Sequence, residues 1–384
     1  MSPARGSQIP SLDGLRAVAV LTVLTAHVLE QARAPNVFPG SFGVTIFFFL
    51  SGYLITTLMR EEREQTGTVS FRQFYLRRVL RIMPPFYLVL GAATLATALG
   101  WLQNTLDPKA VLAQALNFTN YYIVNHGWWY GIAPGTFIFW SLAVEEHFYL
   151  VFPWLFVLVS HLKTRRRQAA SLLALCAVVL LWRCVLVFAL GATKNRIYPA
   201  TDTRFDSILF GCALALWGNP ALDPTRLAER TWKRVLLPLG VAGLLVSFVV
   251  RAPWFLETFR YTLQGVCLVP VYVVAVRYPG WGVMRPLSWP VLQWLGRISY
   301  SLYLVHPILL EALATHLRLS LPMLFLAGYA VCIGVAAALY SAVERPMARL
   351  RRRLERGRAG SGAPLAQISP GAAPALREES PHGL

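Results

Sequence analysis

The chain has few charged residues and few cysteines. Of its 384 residues 14% are Asp, Glu, Lys or Arg, against about 25% in a typical soluble domain. The five cysteines are odd in number and form no CxxC pair, so neither a disulfide framework nor a zinc site is indicated and no metal is expected. The sequence contains no phosphate-cradling glycine loop and no GxSxG elbow, which argues against nucleotide hydrolysis and serine-hydrolase chemistry.

Long apolar segments make up most of the chain. Hydrophobic residues account for 56% of it, and the mean hydropathy is +0.50. Runs of about 20 apolar residues are long enough to cross a bilayer as helices. We therefore predict an all-α, polytopic membrane bundle of about ten helices, of which the sixth is short. The predicted spans are 13–32, 42–59, 83–101, 139–161, 169–191, 205–217, 235–251, 258–277, 298–316 and 321–343.

The net charge of +18 is unevenly distributed between the segments that join these spans. With the N-terminus inside, the cytoplasmic segments hold 26 of the 36 Lys and Arg residues and the outer segments hold 8. The positive-inside rule therefore predicts that both termini are cytoplasmic. Because these charges form no soluble basic domain, nucleic acid is not expected as a partner. The outer basic residues are Arg33, Lys109, Lys194, Arg196, Arg204, Arg251, Arg260 and Arg318.

Three segments outside the spans have distinct compositions. Residues 60–82 form a long basic connection that we expect in the cytoplasm. Residues 102–138 form an outer segment rich in Tyr and Trp, suited either to the membrane interface or to a cover over a site. Residues 1–346 are predicted to be one transmembrane domain. The tail, 347–384, begins with arginines suited to anionic lipid and continues as a Gly-, Ala-, Pro- and Ser-rich stretch that we expect to be disordered.

The first span carries Arg16 and His27, eleven positions apart. At about 100° per residue this spacing falls within about 20° of three full turns, so both side chains share one helix face, about 16 Å apart along the axis. Ionisable groups at bilayer depth usually face a bundle interior and serve a function. We expect this span to be retained rather than cleaved as a signal peptide, because ionisable residues interrupt it.

A basic cluster, Arg77, Arg78 and Arg81, precedes a double proline at the cytoplasmic edge of the third span. On a helix Arg77 and Arg81 are i,i+4 neighbours, so their guanidinium groups can converge. Such groups match phosphate oxygens bidentately. The alternative is a juxtamembrane anchor to anionic lipid, and the sequence alone leaves both functions open.

The fourth span contains Glu145, Glu146 and His147, about 9–12 Å from its outer end at ~1.5 Å per residue. Two adjacent glutamates cannot both face lipid, because each would cost several kcal/mol there. His27 lies at a similar depth, so one glutamate is expected to orient or charge-stabilise its imidazole. The alternative is a buried polar network that only fixes helix packing.

Polar residues also lie at the ends of the sixth span and within the fifth. Asp202, Arg204 and Asp206 are suited either to hydrogen bonding with a sugar or to capping a helix. Arg183, deep in the fifth span, requires a partner, for which one of the two glutamates is a candidate.

The ninth span combines Tyr300 and His306, and Pro307 follows directly. A proline within a helix frees a backbone carbonyl, which His306 is placed to bond. The alternative for His306 is a catalytic role.

Seven motifs, in a fixed order along residues 8–346, resemble those of the membrane-bound acyltransferase family 3. They are SLDGLRAVAVLTVLTAH, GVTIFFFLSGYLI, FYLRRVLRIMPPFY, WSLAVEEHFYLVFP, TRFDSILFG, GRISYSLYLVHPI and ERP. The resemblance implies transfer of an acyl group, most often acetyl, from acyl-coenzyme A to a hydroxyl of an acceptor. Acceptors of that kind include a sugar, a glycan, a glycolipid and a macrolide. It also implies a multi-pass protein of the bacterial inner membrane.

The resemblance assigns roles to the candidate residues. It implies that His27, the expected general base, acts with Arg16, Glu145 and Glu146. The coenzyme phosphates would meet Arg77, Arg78 and Arg81. The family usually has glutamine at position 147, so His147 offers a second imidazole near the site. It joins the expected substrate-binding set, which is His147, Asp202, Arg204, Asp206 and Tyr300.

Several alternatives stay open at this stage. His27 can take a proton from the acceptor hydroxyl, worth about 10²–10⁴ in rate, or form a transient acyl-imidazole. A glycan or lipid transporter would also carry ionisable residues in its spans, but it predicts inverted repeats, and the sequence shows none. A membrane scaffold would leave the shared face of Arg16 and His27 unexplained. The acceptor, the acyl chain length and the oligomeric state are not specified by the sequence.

Overall fold

The computed structural model describes residues 9–34, 39–317 and 319–359. Every regular element within these ranges is a helix. The longer helices are α1 (Pro10–Gln31), α2 (Gly40–Thr66), α3 (Phe71–Ala98), α4 (Pro108–Ala115), α5 (Thr119–His126), α6 (Phe139–Ser160), α7 (Arg165–Cys184), α8 (Phe205–Leu216), α9 (Leu237–Val249), α10 (Phe259–Arg277), α11 (Pro290–Arg297), α12 (Ser299–His316), α13 (Leu321–Leu339) and α14 (Arg345–Ala359). Short turns join or extend them at Thr136–Ile138, Val185–Ala189, Lys194–Ile197, Thr201–Thr203, Glu229–Thr231, Trp232–Leu236, Pro253–Glu257, Arg285–Ser288 and Tyr340–Glu344.

The predicted all-α membrane bundle is confirmed. Within the described residues eight helices are long and apolar enough to cross a membrane, and α11 with α12 forms a ninth candidate that bends by 70°. The predicted sixth span is α8, which has 12 residues and reaches only about 18 Å at ~1.5 Å per residue. Because the hydrocarbon core is about 30 Å thick, α8 as a helix covers only part of that thickness. The ten predicted spans therefore become nine candidate spans and one short helix.

Helix α8 is buried from Asp206 to its end and packs against α2. Gly52 on α2 and Gly211 on α8 let the two backbones touch. A Cβ atom at Gly52 would lie 2.0 Å from the Ile208 carbonyl oxygen, and one at Gly211 would lie 2.0 Å from that of Phe49. Small residues permit this close approach of membrane helices. The contact fixes the position of the α2 segment that contains Ser51, the residue before Gly52.

The predicted long connection at 60–82 is wrong. Only residues 67–70 separate α2 from α3. Gly67 ends α2 in the left-handed conformation, with φ 78°, and the Ser70 hydroxyl caps α3. Helix α3 then continues through the double proline, which membrane helices tolerate when neighbouring helices satisfy the freed carbonyls. The basic cluster therefore lies on a helix and has a fixed orientation.

Arg183 does not pair with a glutamate, as the sequence had suggested. Its guanidinium group donates to the Asp206 carboxylate at 2.7 Å and to the carbonyl oxygens of Thr203 and Thr258. Both charged side chains are fully buried. A buried ion pair of this kind is costly to break, since the remaining charge would be unpaired. The pair therefore holds α7 against α8.

Helix α1 packs against the bent pair α11–α12. A Cβ atom at Gly296 would lie 1.9 Å from the Asp13 carbonyl oxygen, so only glycine allows α11 to meet the start of α1. The 70° bend then directs α12 along α1. This arrangement brings the histidine of the ninth predicted span beside the histidine of the first.

The predicted boundary at residue 346 does not coincide with a break in structure. Helix α13 continues through Tyr340–Glu344 into α14, which extends to Ala359. The first part of the predicted tail is therefore helical. The predicted disorder of its later part falls mostly on 360–384, outside the described residues.

Candidate active site

Arg16 and His27, both on helix α1, line two different cavities. Arg16 lines a narrow cavity of about 90 Å³ on the side predicted to face the cytoplasm. His27 lines a wider cavity of about 390 Å³ on the side predicted to face outward. The eleven-residue spacing thus places one cation and one imidazole at opposite ends of the same helix.

The inner cavity gathers three guanidinium groups from two helices. Arg16 forms an ion pair with Asp13 at 2.5 Å, while Arg78 and Arg81 reach the cavity from α3. The Arg78 guanidinium lies 5.2 Å from the centre of the Tyr149 ring, a cation–π contact that orients it. Closely placed guanidinium groups are suited to phosphate or another polyanion.

The predicted convergence of Arg77 with Arg81 is not what the structure shows. Arg77 donates to Glu62 on α2 at 3.1 Å and does not line the inner cavity. The i,i+3 pair Arg78 and Arg81 faces the cavity instead. The physical reason is the short 67–70 turn, which brings Glu62 close enough to bind Arg77.

The two glutamates of α6 do not contact His27. Glu145 lines the inner cavity and accepts a hydrogen bond from the Ser51 hydroxyl at 2.7 Å. Glu146 is adjacent on the helix, and its Oε1 atom is buried without a hydrogen-bond partner in the part of the chain that the structure describes. The expectation that a carboxylate orients His27 is therefore not met, and Glu145 belongs with the arginines.

An imidazole takes the place expected for that carboxylate. His27 Nδ1 lies 2.8 Å from His306 Nε2, and the two rings stack with centres 5.0 Å apart. His306 is fully buried. Its Nδ1 lies 2.8 Å from the Tyr303 carbonyl oxygen and 3.0 Å from that of Leu302. Pro307 has no N–H, so the carbonyl four residues earlier, that of Tyr303, receives no backbone hydrogen bond from it. The hydrogen bond predicted between His306 and this freed carbonyl is therefore present.

This hydrogen-bond chain assigns the tautomer of both rings. Carbonyl oxygens only accept, so His306 Nδ1 carries the proton that it donates to Tyr303. In a neutral ring His306 Nε2 then accepts, and His27 Nδ1 donates to it. The unprotonated nitrogen of His27 is consequently Nε2. A lone pair at that atom is what a general base or a nucleophile requires.

The two cavities meet beside this pair. Val44 and Tyr303 line both of them. The Tyr303 hydroxyl lies 2.7 Å from the Ser141 hydroxyl, and the Tyr303 ring centre is 5.8 Å from that of His306. The two cavities therefore share a wall at these side chains, next to His306.

Aromatic side chains of the outer segment cover His27. Phe137 makes an edge contact with His27, at 5.6 Å between ring centres, and Trp129 packs on Phe137 at 4.7 Å. Asp107 holds this segment in place, because the Lys109 backbone N–H and the Tyr122 hydroxyl donate to it. These bonds lower the pKa of the Asp107 carboxyl below its usual range. Part of this segment therefore lies over His27, as expected of a cover.

The expected substrate-binding residues lie elsewhere. Tyr300 lines the inner cavity rather than the outer one, and its hydroxyl donates to the Ile82 carbonyl at 2.8 Å. His147 Nδ1 bonds the Thr201 hydroxyl at 2.8 Å, away from His27. Asp202, Arg204 and Asp206 line neither cavity. Asp202 pairs with Arg196, Asp206 pairs with Arg183, and Arg204 is buried among aromatic rings.

Sequence reasoning did not include three basic residues that line the outer cavity among the site residues. They are Lys194, Arg251 and Arg260. A usable signal existed, since all three belong to the few basic residues on the side that the positive-inside rule depletes.

Comparisons with known proteins agree with this architecture. Residues 9–341 match a family model described as an acyltransferase domain. A Bacillus subtilis protein, provisionally named the peptidoglycan O-acetyltransferase YrhL, is 34% identical over 313 residues, which cover 78% of this chain and 48% of that protein. The peptidoglycan O-acetyltransferase OatA of Listeria monocytogenes is 31% identical over 311 residues, covering 78% of this chain and 49% of that protein.

A Staphylococcus aureus protein, provisionally named an O-acetyltransferase, is 30% identical over 315 residues, covering 78% of this chain and 50% of that protein. The chain thus spans about half the length of the curated relatives that it matches. No solved structure matches it significantly.

Proposed function

The chain belongs to the acyltransferase-domain family of membrane proteins, and from that premise we propose that it is a membrane-embedded O-acyltransferase. It moves an acyl group, in the first instance acetyl, from acyl-coenzyme A on the inner side to a sugar hydroxyl on the outer side. The observation that supports the proposal is that the two cavities adjoin at Val44 and Tyr303, near a histidine that is hydrogen-bonded through its Nδ1 atom to His306.

The inner cavity is the proposed donor site. Arg78 and Arg81 would bind the phosphates of the coenzyme, since guanidinium groups match phosphate geometry. The narrow space beyond them fits the thin pantetheine arm, about 15–20 Å long when extended by bond-length reckoning. The arm would pass Arg16 and bring the thioester toward Tyr303.

His27 is the proposed general base. Its Nε2 atom takes the proton of the acceptor hydroxyl while that oxygen attacks the thioester carbonyl carbon. The C–O bond forms, the C–S bond breaks, and the proton passes to the departing thiolate of coenzyme A. The imidazolium is transient, and the Nδ1–H bond to His306 holds the ring in position throughout. Such proton transfer is worth about 10²–10⁴ in rate.

The outer cavity is the proposed acceptor site. Trp128, Trp140 and Tyr198 supply aromatic faces on which a sugar ring can pack. By analogy with the names of the relatives, a glycan of the peptidoglycan type is the proposed acceptor. A sugar bound there would present a hydroxyl to His27 without entering the donor cavity.

A sided transfer assay tests the proposal. Right-side-out membrane vesicles loaded with radiolabelled acetyl-coenzyme A should acetylate peptidoglycan glycan fragments added outside, because the proposed donor and acceptor sites lie on opposite sides of the membrane. Label in the external glycan is the measurement, and vesicles from cells without the protein are the control.

The competing proposal of a glycan transporter makes a different prediction. A transporter moves the glycan across the vesicle membrane without acetylating it. Labelled glycan that forms only when the donor is added outside would instead reverse the assigned sidedness. Glycan uptake without any acetylated product would refute the acyltransferase proposal.

His306 is proposed as a positioning residue, and replacing it should reduce turnover. His306→Leu removes the acceptor of the His27 Nδ1–H bond, which leaves a buried donor unpaired and the ring free to rotate. We expect kcat to fall roughly 10–100-fold, the equivalent of an unsatisfied buried hydrogen bond. The KM for acetyl-coenzyme A should not change, because His306 does not line the inner cavity.

His306→Gln is the matched variant. Its side-chain oxygen can accept the same hydrogen bond, so it should recover much of the lost kcat. If the leucine and glutamine variants lose activity equally, or if both raise the KM instead, His306 only supports packing around Pro307.

A further inference from the structure

The outer cavity is positively charged although it lies on the side that the charge distribution assigns to the outside. Lys194, Arg251 and Arg260 line it, and Glu30 is its one acidic residue. Three cations against one carboxylate leave a net charge of +2 on the lining. Membrane proteins carry few basic residues on this side, so their convergence on one cavity requires a ligand or a structural reason.

Three of the other outer basic residues have partners of their own or lie away from the cavities around His27. Arg196 pairs with Asp202 at 2.5 Å. Arg204 is buried against the Tyr261 ring, 4.0 Å from its centre. Lys109 lies on α4 and lines none of the cavities around His27. Three of the eight outer cations therefore gather at one cavity, and that cavity contains the reactive histidine.

Arg260 retains unused hydrogen-bonding capacity. Its Nη2 atom donates to the Tyr261 hydroxyl at 3.0 Å, but its buried Nε–H has no partner within the described part of the chain. Glu257 lies nearby, and burial raises the pKa of its carboxyl above the usual range. An unsatisfied guanidinium donor at a cavity wall is a ready contact for an anion.

The neighbouring opening has the opposite charge. A second outer cavity shares His27, Glu30, Trp129 and Phe137 with the first, and its other charged residue is Glu311. An acidic ligand is therefore repelled from one side of His27 and attracted to the other. The charge difference would fix the direction in which an acidic acceptor lies across the imidazole.

We propose that the acceptor is an acidic sugar whose carboxylate is bound by Lys194, Arg251 and Arg260 in the outer cavity. This inference rests on the proposed function and adds the charge of the substrate to it. A neutral sugar would use the aromatic walls alone. The carboxylate adds charge-assisted hydrogen bonds, each worth about 10–100-fold in affinity.

A pair of acceptors that differ only in charge tests the inference. One is the disaccharide of N-acetylglucosamine and N-acetylmuramic acid with a free lactyl carboxylate, and the other is its carboxamide. Binding is measured by calorimetry on protein in phosphatidylcholine nanodiscs, so that anionic lipid does not compete. We expect the carboxylate to bind about tenfold or more tightly than the amide, with a difference that shrinks at high salt.

Single variants test which residues cause the preference for the carboxylate. Arg260→Gln and Lys194→Gln should each reduce the preference, chiefly by weakening binding of the carboxylate. Lys194 is exposed, so its replacement carries little risk for folding. Lys109→Gln removes a cation from the same side of the protein outside the cavities and should leave the preference unchanged.

Measuring affinity and acetyl transfer separately distinguishes a failure of this inference from a failure of the proposed function. Equal affinity for the two disaccharides, or a preference that survives both cavity variants, would overturn the inference even if acetyl is transferred. A charge preference without acetyl transfer would leave the anionic site in place and overturn the proposed function.

Discussion

His27→Asn should abolish acyl transfer while the protein remains folded and inserted in the membrane. The asparagine amide can still donate to His306 Nε2, so the hydrogen-bond chain to the Tyr303 carbonyl survives. What disappears is the lone pair at Nε2. We expect kcat to fall about 10²–10⁴-fold, the usual contribution of a general base. Turnover of labelled acetyl-coenzyme A by purified protein measures it.

Two comparisons make this result specific. His161→Ala removes an exposed histidine outside the cavities and should leave turnover unchanged. Affinity for coenzyme A should be the same in His27→Asn as in the wild type, because His27 does not line the inner cavity. Near-normal turnover of His27→Asn would end the general-base proposal. Acetylated His27 trapped in the wild type without acceptor would favour the acyl-imidazole route.

The helical bundle could be predicted because its main signals are local. Apolar runs of about 20 residues specify membrane helices wherever they occur, and nine of the ten predicted spans correspond to candidate spans in the described residues. The Arg16 and His27 spacing is also a property of one helix. The structure accordingly places the two residues on two cavities along the same helix.

The partners of the site residues could not be predicted, because they depend on contacts between distant segments. His27 and His306 are 279 positions apart, and their meeting depends on the bend before α12. Glu145 was predicted at a membrane depth similar to that of His27, but its side chain lines the inner cavity. Depth along a helix is readable from a sequence, whereas the direction of a side chain around the bundle axis is set by packing.

The predicted start of the third span, at residue 83, was wrong for a related reason, since α3 begins at Phe71. The double proline is a strong local signal for a helix end in water. In a bundle, neighbouring helices satisfy the freed carbonyls, so the helix continues. The convergence of Arg77 and Arg81 was predicted from their i,i+4 spacing alone, whereas the short turn at 67–70 brings Glu62 to Arg77.

Replacing Arg78 and Arg81 together should strongly weaken coenzyme A binding. Both guanidinium groups line the inner cavity, and Arg16 on α1 faces the same space. Each charge-assisted contact to a phosphate is worth about 1.5–3 kcal/mol, or roughly 10–100-fold in affinity. The Arg78→Gln/Arg81→Gln double variant should therefore lose at least about 100-fold. Titration calorimetry with coenzyme A measures the loss, and binding of the outer glycan should not change.

Arg77→Gln is the matched control, since it removes an arginine one position from Arg78. Its partner is Glu62 rather than the cavity, so coenzyme A should bind this variant with nearly normal affinity. The alternative for the whole cluster is attachment to anionic lipid, in which all three arginines would contribute through their charge alone. Equal effects of the three single variants, or unchanged coenzyme A affinity in the double variant, would identify the cluster as a lipid anchor. A loss confined to Arg78 and Arg81 would place the donor phosphates at the inner cavity, because only those two side chains of the cluster reach it.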